Sequence, residues 1–158
     1  MASADSRPNA PAAEAWRLLF TFFLRTRDQR DSVLKRFGLT PNEVRALGDL
    51  DVKNGRPMRS LADAWGTDAS NATWVIDRLE QHGYAERRAQ PTDRRVKLVA
   101  LTPKGAKAKS DVLKAMYEAP PPFLKMKLED LEALTVILRK LLAAFNETDE
   151  KHADEDSL

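Results

Sequence analysis

Between Asp68 and His82, the apolar side chains Ala72, Val75, Ile76 and Leu79 recur at i, i+3, i+4 and i+7. That is the spacing of one buried stripe on a helix. The opposite face is left with Ser70, Asn71, Thr73, Trp74, Asp77 and Arg78. Short hydroxyl and amide side chains can exchange hydrogen bonds with base edges in a DNA major groove, where each base pair presents its own donor and acceptor pattern. Asn pairs well with adenine, and Ser and Thr suit bases or phosphates. Arg78, further along, is expected at a phosphate. Trp74 could pack on a sugar or a thymine methyl, shift the preferred site, or fold back. An ordinary solvated helix face has a similar composition, so this helix alone does not decide between the two.

A second cluster follows it. Arg87, Arg88, Arg94, Arg95 and Lys97 place five cations against one anion, Asp93, in eleven residues. Cations this dense repel one another unless an anionic partner is present. Tyr84–Arg88 and Val96–Leu101 read as strands, because apolar Val96, Leu98 and Ala100 alternate along the second one. The residues between them form a basic turn. Such a loop fits a minor groove, whose negative potential attracts Arg. Arg95 is the expected groove contact, Asp93 its orienter through a charge-assisted pair, and Arg94 and Lys97 phosphate contacts. A hairpin directly after a helix–turn–helix is a winged-helix arrangement and shifts the balance toward DNA.

The flanking elements must position these two groups. A long helix is expected from about Ala12 to Arg36, ending at Gly38. Thr40-Pro41-Asn42-Glu43 then supplies a capping box with Pro at the first helical position. Val44, Leu47 and Leu50 face inward on that helix. Asn54-Gly55-Arg56-Pro57 reads as a turn, and Ser60–Trp65 as a short helix closed by Gly66. Thr102-Pro103 opens a further helix that carries Val112, Leu113 and Met116, with Pro120-Pro121-Pro122 after it. In the last helix Leu131, Leu134, Leu138, Leu141 and Phe145 are spaced 3, 4, 3 and 4 apart, a coiled-coil-like seam for a second chain.

The ordered set Leu39-Thr40-Pro41-Asn42-Glu43-Val44, Asp68-Ala69-Ser70-Asn71-Ala72-Thr73, Asp77-Arg78-Leu79-Glu80, Asp93-Arg94-Arg95 and Leu101-Thr102-Pro103-Lys104-Gly105 resembles the MarR family of bacterial winged-helix regulators. The resemblance implies a mainly α (α+β) fold in which N- and C-terminal helices form a dimerisation region. It implies a homodimer on a pseudo-palindromic operator, usually as a repressor, often released by a small phenolic or anionic compound. The expected organisation is a disordered head at 1–11, a dimerisation helix at 12–38, a winged helix-turn-helix DNA-binding domain at 39–102, dimerisation helices at 103–146 and an acidic disordered tail at 147–158. Trp74 departs from the small or basic residue usual at its position in the family.

For an effector, Trp16, Arg17, Phe20 and Phe23 on the first helix, joined by Trp65, could line a cleft with an anion-binding Arg. An aromatic stripe at that spacing is more often dimer core.

Composition sets the outer limits. Among 158 residues, 26 cations and 24 anions give a net charge of +2, so only the distribution of charge points to nucleic acid. The tail from Glu147 to Leu158 carries six anions and one Lys. With no cysteine there is no disulfide, thiolate metal site or thiol sensor. His82 and His152 are 70 positions apart, so no metal site is expected, nor any cofactor. No glycine-rich phosphate loop or nucleophile–base pair points to an enzyme. No targeting or membrane segment is visible, which makes the cytoplasm the expected location. The rival reading is a winged helix that binds proteins or ligands without an operator.

Overall fold

The computed structural model describes residues 10–90 and 95–155, with side-chain surroundings as far as residue 144. The chain divides into two compact units, Met1–Glu118 and Ala119–Leu158.

The first unit starts with α1 (Ala10–Arg25) and α2 (Arg27–Phe37). A single helix was expected here. The break falls at Thr26, where φ is −90° and ψ is 6°. The Thr26 hydroxyl bonds back to the carbonyls of Phe22 and Phe23, both at 3.1 Å. Back-bonding of this kind competes with the helical ladder and bends it. The Arg30 guanidinium braces the bend by donating to Thr26 Oγ1 at 2.6 Å and to the Phe23 carbonyl at 2.7 Å.

Helix α3 (Pro41–Asp49) begins at the capping box read from the sequence. Glu43 N donates to Thr40 Oγ1 at 3.3 Å, and Thr40 N donates to Glu43 Oε2 at 2.6 Å. Strand β1 (Arg56–Pro57) comes next, then α4 (Met58–Trp65) and α5 (Ala69–Gln81). The sequence reads 54–57 only as a turn. Two residues, one of them a proline without an N–H, are too few to show period-2 alternation. Strands β2 (Ala85–Ala89) and β3 (Lys97–Leu101) complete an antiparallel sheet of order β1-β3-β2, with Arg56 and Arg87 both in register with Val99.

Leu47, Leu50, Leu61, Val75, Ile76, Leu79, Val99, Leu101 and Val112 form the core and are almost fully buried. Burying one such side chain stabilises the fold by about 1.5–3 kcal/mol. The core therefore locks α5 onto α3, α4 and the sheet by one face and leaves its other face outward. Thr102 caps α6 (Pro103–Met116). It accepts from Gly105 N at 3.0 Å and donates to the Gly83 carbonyl at 2.7 Å. Gly105 lies against the Tyr84 backbone so closely that a Cβ there would stand 1.9 Å from the Tyr84 oxygen. The Leu-Thr-Pro-Lys-Gly stretch thus ties the start of α6 to the root of the hairpin.

In the second unit a short 3-10 turn (Phe123–Lys125) precedes α7 (Leu128–Glu155). A structureless acidic tail was expected from Glu147. The helix instead runs on through that segment to Glu155. No Pro or Gly lies between Phe145 and Glu155 to stop it.

Candidate nucleic-acid interface

Of the two adjacent candidates Thr67 and Asp68, it is Asp68 that caps helix α5. Asp68 Oδ1 accepts from Asn71 N at 2.8 Å, and Gly83 follows the helix with a left-handed φ of 71°. Ser70, Thr73 and Trp74 stand exposed on its first turns. With Ala69 and Asp77 they line a shallow surface hollow. Asn71 is half-buried and donates its side-chain amide to Thr67 Oγ1 at 2.7 Å. It therefore also serves the start of the helix.

Arg78, expected at a phosphate, is engaged within the fold. Its Nε lies 3.3 Å from Oε1 of Glu43, a carboxylate with 0% exposure. Burying an unpaired carboxylate is costly, so Glu43 holds what cations it can reach. His82 Nε2 lies 3.8 Å from the same oxygen. Glu43 thus joins α3 to the far end of α5, beyond its capping role. The only sequence signal for it was the capping box.

The basic cluster is also altered by pairing. Arg87 on β2 bonds Asp77 Oδ1 at 2.7 Å and forms a close ion pair with Glu80. Arg88 donates to Glu86 Oε1 at 2.7 Å and to the Val52 carbonyl at 2.9 Å. Two of the five counted cations are thus balanced inside the fold, and Arg87 pins the hairpin to α5. Asp77 and Glu80, three positions apart on α5, were the legible hint of that clamp. Lys97 and Arg95 are exposed at the outer end of the hairpin. Asp93 and Arg94 lie outside the described residues, so the proposed Asp93–Arg95 pair does too.

The effector residues do not converge. Trp16, Phe20 and Phe23 are exposed on α1, which buries no residue. The Trp16 and Phe20 rings stack 6.2 Å apart. Arg17 is paired with Glu14 at 2.7 Å, which lowers the Glu14 pKa and raises that of Arg17. Trp65 instead donates its indole N–H to Asp49 Oδ2 at 2.7 Å. The hollow it lines is shared with Asn42, Arg45, Gly66, Thr67, Asn71 and Val75, not with α1.

On α7, Leu131, Leu134 and Leu138 are half-buried, whereas Val136, Ile137, Leu141 and Leu142 are exposed. The exposed apolar surface is therefore offset from the expected seam, with Leu141 common to both. The Phe145 side chain lies outside what is described. Among the described residues no cluster of metal-ligating side chains occurs, and no helix is long and apolar enough to cross a membrane.

The MarR family model matches residues 39–97, the stretch from the start of α3 to the wing. A putative transcriptional regulatory protein for the hcr operon of Thauera aromatica is 31% identical over 113 residues, covering 70% of this chain and 68% of that one. The chain belongs to the MarR family. The transcriptional repressor MprA of Escherichia coli (strain K12) is 28% identical over 126 residues, covering 78% of this chain and 72% of MprA. The chain spans from 48% to 72% of the length of the curated relatives it matches. Among solved structures, the MepR–DNA complex of S. aureus shares the fold at a TM-score of 0.58 and 21% identity, covering 82% of this chain and 98% of that one. Within the MarR fold, the helix–turn–helix is α4–α5 and the wing is β2–β3.

Proposed function

We propose that this chain is a transcriptional regulator that binds double-stranded DNA sequence-specifically as a homodimer on a pseudo-palindromic operator. The observation that carries the reading is α5: one face is locked into the core, and the other offers Ser70, Thr73 and Trp74 outward beside a cationic hairpin. Its kinship with a named repressor and the fold it shares with a DNA-bound protein support it. Ser70, Asn71, Thr73 and Trp74 read bases. Arg95 enters the minor groove with Asp93 as its orienter, and Arg94 and Lys97 hold phosphates. Arg78 orders the helix through Glu43 rather than serving chiefly as a phosphate contact.

A second copy covers the exposed apolar residues of α1 and α7, and symmetry then places two α5 helices against successive major grooves about 34 Å apart. Operator occupancy represses by blocking access to the promoter. A small phenolic or anionic effector would meet Trp16, Phe20 and Phe23. Arg17, already balanced by Glu14, and Trp65, turned to Asp49, are not assigned to that site.

Selection of bound duplexes from a random pool, repeated over a salt series, tests the reading. A two-fold symmetric consensus with a steep salt slope is expected. Arg95→Ala should then weaken operator binding by about 1–3 kcal/mol. No enrichment at any salt concentration would remove the regulator reading and favour a protein-contact or ligand-binding module.

A further inference from the structure

The reading face of α5 is unusual in its charge. Arg78 is the one cation in Ala69–Gln81, and its Nε is held at 3.3 Å by the buried Glu43. The most common specific contact in a major groove is an Arg or Lys fork on guanine O6 and N7. The first turns of α5 cannot make it. They present two hydroxyls, Ser70 and Thr73, an indole, and the carboxylate of Asp77, which Arg87 holds from β2.

Trp74 is the largest group there. It is 51% exposed and shares a hollow with Ala69, Ser70, Thr73 and Asp77. It is not one of the buried residues of the helix, which are Ala72, Val75, Ile76 and Leu79. About half of this large aromatic remains in water, and burying that remaining apolar surface against a partner would be favourable. In the major groove the apolar feature that differs between base pairs is the C5 methyl of thymine.

We infer that Trp74 is a specificity-determining residue that packs on a thymine methyl, with Ser70 and Thr73 beside it, so that each half-site carries a thymine facing it. The inference rests on the DNA-binding reading and narrows its substrate to operators with a thymine methyl at the position facing Trp74. Asp77 adds to the bias: fixed by Arg87, it can accept from a cytosine amino group but repels the acceptor-rich edge of guanine.

The test uses the full chain and the operator obtained by selection. Each thymine is replaced in turn by deoxyuridine, which removes only the methyl, and binding is measured for the wild type, Trp74→Phe and Trp74→Ala. At one position per half-site the wild type should lose about fourfold, the order set by one buried methyl-sized group. Trp74→Phe should keep part of that sensitivity. Trp74→Ala should bind uracil and thymine equally while keeping wild-type affinity for random duplex. Trp74 is not among the buried core residues, so Trp74→Ala should still fold, and thermal unfolding of each variant checks that the comparison is between folded proteins. A uracil effect that persists undiminished in Trp74→Ala, or no sensitive thymine in an otherwise specific operator, overturns the Trp74 assignment and leaves the regulator reading standing. Failure to select any operator overturns both.

Discussion

Replacing Glu43 with alanine probes the contact that joins the first helix of the winged lobe to the reading helix. Two donors lose their acceptor at once, and a third group loses a nearby charge. Thr40 N–H loses a 2.6 Å bond, and capping contacts of this kind are each worth about 1 kcal/mol. Arg78 loses its carboxylate at 3.3 Å, and a hydrogen bond to a charged group contributes about 1.5–3 kcal/mol. The lower end applies, because the Arg78 side chain is 38% exposed and can turn into water. His82 Nε2, buried and without a hydrogen-bond partner among the described residues, loses the one carboxylate near it. The expected destabilisation is about 3 kcal/mol, or roughly 6–12 °C in Tm for a chain of this size. Glu43→Gln keeps an acceptor for Thr40 but not the charge, and should cost about 1 kcal/mol. Urea and thermal unfolding followed by circular dichroism, at one fixed protein concentration, measure both variants. Adding Arg78→Ala to each closes a double-mutant cycle, in which a coupling of about 1 kcal/mol or more is expected. If Glu43→Ala lies within about 0.5 kcal/mol of wild type, or shows no coupling to Arg78, the buried pair does not join α3 to α5 and the reasoning fails.

Gly105→Ala should destabilise by about 3 kcal/mol, the upper end for overpacking, because the obstructing atom is Tyr84 backbone and cannot rotate aside; wild-type stability by urea unfolding would contradict that contact. Asp51 accepts from the backbone N–H groups of Asn54 and Lys53, which hold its pKa below the ordinary 3.8. A lowered carboxyl pKa stabilises above the unfolded value and loses that effect as pH falls through the folded one. Protection of the Asn54 and Lys53 amides, taken as exchange relative to the intrinsic rate at each pH, should therefore hold down to about pH 4 and be lost only in stronger acid, with Asp51→Ala unprotected throughout. Leu141→Asp puts a charge on the exposed apolar surface of α7 and should give monomers or insoluble chain; a dimer of unchanged strength in sedimentation would exclude α7 from the interface.

The parts legible in the sequence were those whose cause lies within three or four residues. The capping box at Thr40, the Asp68 and Thr102 caps and the Ala72–Leu79 stripe all act across one or two turns, and each appears where its spacing put it. The bend at Thr26 is equally local, but its signal is one hydroxyl choosing a carbonyl over water, which leaves no period to read. Strand β1 exists only because β3 offers an edge, so nothing within 54–57 could announce it.

Charge was the least legible feature, because a count treats every ion as free. Arg87 and Asp77 are 10 positions apart, and Arg78 and Glu43 are 35 apart. No local rule joins such pairs. Both have the same consequence: cations that looked available for phosphate hold the reading helix and the hairpin in fixed relation to the lobe. Coulomb attraction between partly buried partners is stronger than between hydrated ones, so these arginines are worth more to the scaffold than to a solvated phosphate. What they leave outward on α5 is a neutral-to-acidic, aromatic surface, with exposed cations carried by the hairpin at Arg95 and Lys97. Affinity and base choice are thereby divided between two elements. Salt should act chiefly through the wing, and sequence preference should follow the face around Trp74.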